Sequence, residues 1–96
     1  MATAQETALR HANDVVAGNM AGVIGDFTPE ALTEFQQHGV MPPRPTTKAE
    51  IVSQAQEGNR ERFEIAYSND SQSLTIRSWW EDQGGTWKLV KAEPVH

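Results

Sequence analysis

Residues 77–95 read RSWWEDQGGTWKLVKAEPV and gather all three tryptophans of the chain around one Gly-Gly pair. Trp79 and Trp80 are adjacent. In a helix both rings would lie near one stripe, whereas neighbouring side chains of a strand project to opposite faces. The residues before them decide between the two. Leu74, Ile76, Ser78 and Trp80 alternate with Thr75, Arg77 and Trp79, which is the two-residue period of a strand. This predicts Trp80 turned into a core and Trp79 turned away from it. A buried indole removes roughly 150–250 Å² from water, an upper bound of about 4–6 kcal/mol. A cover for Trp79 is therefore expected as well. A second copy of the chain is the economical one, making a homodimer through the outer face that carries Trp79, Arg77 and Thr75.

The strand pattern extends upstream. RFEIAYSND puts Phe63, Ile65 and Tyr67 on one face and Glu64, Ala66 and Ser68 on the other. KAEIVSQAQEG alternates more loosely, with Ala49, Ile51, Ser53 and Ala55 together, and TWKLVKAEPV sets Trp87 and Leu89 against Val90 and Ala92. The separators Gly58-Asn59, Asn69-Asp70-Ser71 and Gly84-Gly85 are short and have turn chemistry, which makes successive strands antiparallel neighbours.

Before residue 45 the period is helical. Thr3 and Glu6 have capping-box spacing, and Ala8, Ala12, Val15 and Val16 form a stripe with Leu9 at its edge, ended by Gly18. Asn19 can cap a short helix in MAGVIGDF that Val23, Ile24 and Phe27 anchor by burial. TPEALTEFQQHG has a capping threonine, a proline at the first helical position, an early acid and a terminal Gly39, with Leu32 and Phe35 on one face. Pro42, Pro43 and Pro45 then exclude regular structure. The expected fold class is α+β: one domain over residues 1–96, with N-terminal helices packed on a curved four-stranded antiparallel meander.

Composition narrows the function by exclusion. The net charge is −5, and the eight Lys and Arg are dispersed, so no basic stripe for nucleic acid is expected. The chain has no cysteine, which removes disulfides and thiolate chemistry. No stretch suits a membrane span, and the first residues lack a signal-peptide pattern, so a soluble, cytoplasmic protein is expected. The three histidines lack ligand spacing, and neither a metal nor another cofactor is expected. No Gly-rich phosphate loop and no nucleophile constellation is legible.

The segments Gly18-Asn19, Phe27-Thr28-Pro29-Glu30-Ala31 and the closing Gly85, Trp87, Lys88, Leu89, Ala92-Glu93 resemble motifs of the nuclear-transport-factor-2-like superfamily, which includes SnoaL-like and ketosteroid-isomerase-like proteins. The likeness covers residues 5–39 and 60–95. It implies a cone-shaped domain and a back-to-back dimer, with a plain cystatin-like wrap of helix on sheet as the neighbouring fold. Members usually carry a strand pair and another helix after the FTPEA segment; residues 31–47 are too short and proline-rich for these. The chain thus resembles a shortened member, whose pocket is expected to be truncated or closed by the proline loop.

Tyr67, Trp80, His11 and Asp26 are the residues placed at a ligand site. The resemblance implies a carboxylate or histidine base and a hydrogen-bond donor for an oxyanion, which makes His11, Asp26 and Tyr67 the candidates. Each also has a plain reading: Tyr67 as a core ring, Asp26 as a loop cap or surface acid, His11 as a half-exposed histidine. Glu64, the acid nearest Tyr67 in its strand, has the opposite parity. Arg44, between prolines, is either a solvated loop residue or an anion holder at the pocket rim. The first reading is a small dimeric module without catalysis that binds a small apolar molecule or only self-associates. The alternative is an isomerase- or cyclase-type enzyme using general acid–base chemistry. A pocket of about 300 Å³ or more would favour the ligand-handling readings.

Overall fold

The computed structural model describes residues 3–39 and 41–95. Three helices, α1 (Ala4–Ala17), α2 (Met20–Gly25) and α3 (Pro29–His38), precede four strands, β1 (Lys48–Glu57), β2 (Arg60–Ser68), β3 (Ser73–Gln83) and β4 (Thr86–Pro94). The strands form one antiparallel sheet in the order β1-β2-β3-β4, an α+β meander as the sequence predicts. Among the described residues no helix is long and apolar enough to cross a membrane.

Local chemistry explains the helix boundaries. Thr3 Oγ1 accepts from the Glu6 amide while Glu6 accepts from the Thr3 amide, closing the capping box at the start of α1. Asn19 and Thr28 cap α2 and α3 in the same one-sided way. Gly39 ends α3 without a left-handed turn, since its φ is −78°. Glycine is required there by space, because a Cβ would come within 2.5 Å of the Phe35 ring and carbonyl oxygen. The Gly84-Gly85 hairpin does need positive φ at both positions, 70° and 93°, which suits the twist of the strands it joins.

Ala4, Ala8 and Ala12 recur every four residues on the buried side of α1. Their small side chains let the helix lie close over β1 and β2, the strands it touches. Beneath it, Trp80, Phe63, Ile65 and Leu89 are the largest fully buried side chains. The adjacent tryptophans diverge as parity requires. Trp80 is 0% exposed, whereas Trp79 stands opposite Arg62 on the outer face and is half-buried. There its Nε1 donates to Glu57 Oε1 at 3.1 Å and Lys91 Nζ lies 4.9 Å from its ring. Arg77 does not stack on it, because Glu64 (3.0 Å) and Glu93 (3.3 Å) hold the guanidinium.

Two bulges correct the strand faces read from simple alternation. In β1, Ile51 pairs with Ile65 but Ser53 pairs with Glu64, leaving Val52 as an extra residue. Directly opposed residues share a face, so Ala49 and Ile51 point inward while Ser53 and Ala55 point outward. In β4, Trp80 pairs with Leu89 and Trp79 with Lys91, so Val90 is the extra residue and Ala92 returns to the inner face opposite Ser78. Periodicity alone cannot detect an inserted residue, because one slip inverts every later position.

Candidate functional site

The inner side of the sheet is not filled. Between α1, α2, α3, residues 41–46 and the sheet lies a cavity of about 820 Å³. The expectation of a pocket closed by the proline loop is therefore corrected. The proline loop forms one wall, with Pro43 and Thr46 buried, instead of plugging the interior. Bonds to the sheet hold that wall out: the Thr47 amide donates to the Ser68 carbonyl at 2.9 Å, and Asn69 Nδ2 donates to the Pro45 carbonyl at 2.8 Å.

The cavity accounts for apolar side chains that burial was expected to claim. Val16 (37% exposed) and Ile24 (46%) belong with Met20 and Met41 to its lining. Leu9, at the edge of the α1 stripe, is exposed elsewhere. A ring of exposed apolar groups around one concavity is the surface signature of a ligand site.

One polar cluster stands in this apolar setting. His11, on α1, lines the cavity and is buried, as is Asp26 at the end of α2. His11 Nδ1 lies 2.8 Å from Asp26 Oδ2. An ionised carboxylate only accepts, so Nδ1 is the donor in this contact and Nε2 is the ring nitrogen left to the cavity. The other Asp26 oxygen accepts from Arg10 Nη2, and Arg10 Nη1 also donates to Asp14 at 2.6 Å. Burial pushes the Asp26 carboxyl up, but the hydrogen bonds from His11 and Arg10, helped by the positive charge beside it, outweigh it and hold the group below the usual carboxylate range. The plain readings of His11 as half-exposed and Asp26 as a surface acid are thereby corrected.

Backbone pairing places this acid. β4 is an edge strand, and the Leu89 amide donates to the Asp26 carbonyl at 2.7 Å while the Thr28 amide donates to the Leu89 carbonyl at 3.0 Å. Lys88 Nζ adds a bond to the Gly25 carbonyl at 2.8 Å. These contacts clamp the α2–α3 connection beside the Val90 bulge, a common device for aiming a side chain next to a site. The imidazole is fixed in turn by Trp80, whose ring meets it edge-on at 5.3 Å.

Three hydroxyls border the cavity, and that of Thr46 is committed to the Pro43 carbonyl. Tyr67 is buried and lines the cavity, and burial pushes its phenol pKa up, so it is a proton donor at any ordinary pH. Among the described residues its hydroxyl has no hydrogen-bond partner, and Arg62 Nε is the only unpartnered side-chain polar atom that is fully enclosed. The Tyr67 hydroxyl therefore reaches open space in the cavity, and the same reasoning applies to His11 Nε2. Ser78 Oγ accepts from Trp80 Nε1 at 3.0 Å, leaving its own proton available.

Of the four predicted site residues, His11 and Tyr67 line the cavity. Asp26 acts from behind His11 and borders a smaller space of about 250 Å³ with Arg10 and Trp87. Trp80 is absent from the wall and supports His11 from the core. Arg10 and Ser78 were not among the candidates. The spacing of Arg10 and Asp14 signals a helical ion pair. No local pattern links Arg10 to Asp26, and Ser78 reads simply as an inward strand position. Among the described residues no cluster of three or more His, Asp or Glu could hold a metal ion. No family model matches the chain, and no curated protein and no solved structure matches it either.

Proposed function

We propose that this chain is a small-molecule enzyme of the isomerase or cyclase kind, built on a shortened NTF2-like plan and working by general acid–base chemistry in an apolar pocket. The observation that carries the proposal is the Arg10–Asp26–His11 relay, which leaves His11 Nε2 facing a cavity of about 820 Å³; the proposal gives that nitrogen the part of proton acceptor. The order of helices before meander and the segment Phe27–Ala31 support the family part.

The chemistry is proton abstraction beside a carbonyl. His11 Nε2 takes the α-proton, the C–H electron pair becomes a new carbon–carbon π bond, the carbonyl π pair moves onto its oxygen, and the Tyr67 or Ser78 hydroxyl donates to that oxygen. Return of the proton to another carbon completes an isomerisation without a co-reactant. The test is deuterium incorporation into 1-tetralone and 2-decalone in D2O, followed by NMR. Wild type is expected to accelerate exchange above buffer and His11→Asn is not. Exchange at the buffer rate with wild type, or undiminished exchange with the variant, removes the proposal.

Pairing of two copies through the outer face is a separate proposal. It is supported by the partial exposure of Trp79 on that face. Sedimentation should give a dimer for wild type and a monomer for Trp79→Asp. A monomeric wild type, or a dimeric variant of unchanged stability, rules this contact out.

A further inference from the structure

The charge of the cavity wall opposes that of the protein. The chain carries 13 Asp and Glu and a net charge of −5, yet none of these acids lines the cavity. Arg44 does line it, from an exposed position in the proline loop.

Arg44 is also singular among the eight Lys and Arg residues. Arg10, Lys48, Arg60, Arg62 and Arg77 each have a carboxylate within 4.0 Å. Lys88 bonds the Gly25 carbonyl, and Lys91 lies over the Trp79 ring. Arg44 alone has no ion pair, no side-chain hydrogen bond and no ring beneath it among the described residues. A guanidinium offers a planar fork of donors that matches a carboxylate bidentately. In an acidic protein, an unpaired fork at the mouth of an acid-free apolar cavity is a receptor for an anion.

We infer that the cavity takes an amphipathic organic acid, its carboxylate held by Arg44 at the mouth and its hydrocarbon body lying against Phe27, Leu32 and Phe35. The inference rests on the cavity being a ligand site, and it adds the ligand class. The carboxylate sets which end of the ligand enters first, so an uncharged end is delivered to His11 and Tyr67.

The probes are 6-phenylhexanoate and its uncharged counterpart 6-phenylhexan-1-ol, titrated calorimetrically into the full chain at low salt. Wild type is expected to bind the acid about fivefold more tightly than the alcohol, the scale of an exposed but bidentate ion pair. Arg44→Gln should abolish that preference, Arg44→Lys should retain part of it, and His11→Asn should leave it intact. Equal affinities in wild type, or a preference that survives in Arg44→Gln, overturn the inference and leave the acid–base proposal standing. A preference lost in His11→Asn assigns the anion to the histidine and likewise overturns it. Binding of neither probe overturns both the anion site and the cavity as a ligand site.

Discussion

Truncating Trp80 to alanine is expected to cost about 3–5 kcal/mol, the range for large-to-small changes at fully buried aromatic positions. Folded domains are stable by only about 5–15 kcal/mol in all, and one of this length has little reserve. The ring is 0% exposed, packs with Phe63 and Leu89, meets His11 edge-on at 5.3 Å and donates to Ser78. Its removal opens a void beneath α1 and frees the imidazole. Urea denaturation should show a midpoint near zero denaturant or a chain already unfolded. Trp80→Phe keeps most of the volume and loses the Ser78 bond, so it should fold with an intermediate loss. A Trp80→Ala variant within about 1 kcal/mol of wild type would contradict the core described here.

Asp26→Asn is expected to lower the proton-exchange rate about 100-fold, within the span for general acid–base groups. The mechanism is a change of tautomer. Arg10 offers only donors to Asp26 Oδ1, so an asparagine must turn its oxygen toward Arg10 and its amide nitrogen toward His11. His11 Nδ1 would then accept, and Nε2 would carry the proton and cease to be a base. The same substitution has a signature in stability. Because the folded-state pKa of Asp26 is lowered, the carboxylate stabilises the fold fully above its unfolded value near pH 4. This contribution is lost as pH falls through the lower folded value. Wild type should exceed Asp26→Asn by about 1–3 kcal/mol at neutral pH. The two should converge in strong acid. Parallel acid curves would show that the carboxylate is not engaged as described.

The elements were legible because each boundary has its own short-range chemistry. Thr3 with Glu6, Thr28 with Pro29 and Gly84 with Gly85 announce their helix or hairpin within four residues. Trp79 and Trp80 disclosed the two-faced sheet for the same reason. The site was legible only as types of residue. His11 and Asp26 are 15 apart, and nothing local says that α1 and the α2–α3 connection converge on one oxygen. That convergence depends on the clamp to Leu89, a long-range contact. The cavity was hidden for a related reason. Val16 and Ile24 have the spacing of core residues, and a hydrophobic pattern does not distinguish packing against protein from lining an open space.

The strip from Asp26 to Thr28 is in effect a fragment of a fifth strand laid along β4. It occupies the main-chain donor and acceptor that Leu89 would otherwise offer to a stranger, so this margin of the sheet is blunted at its middle. The opposite margin, β1, is interrupted at Val52 and carries Lys48 and Glu50 at its start. Interruptions and charges of this kind discourage ribbon-like growth of one molecule onto the next. Each margin of the sheet is thereby a poor place for another chain to add a strand.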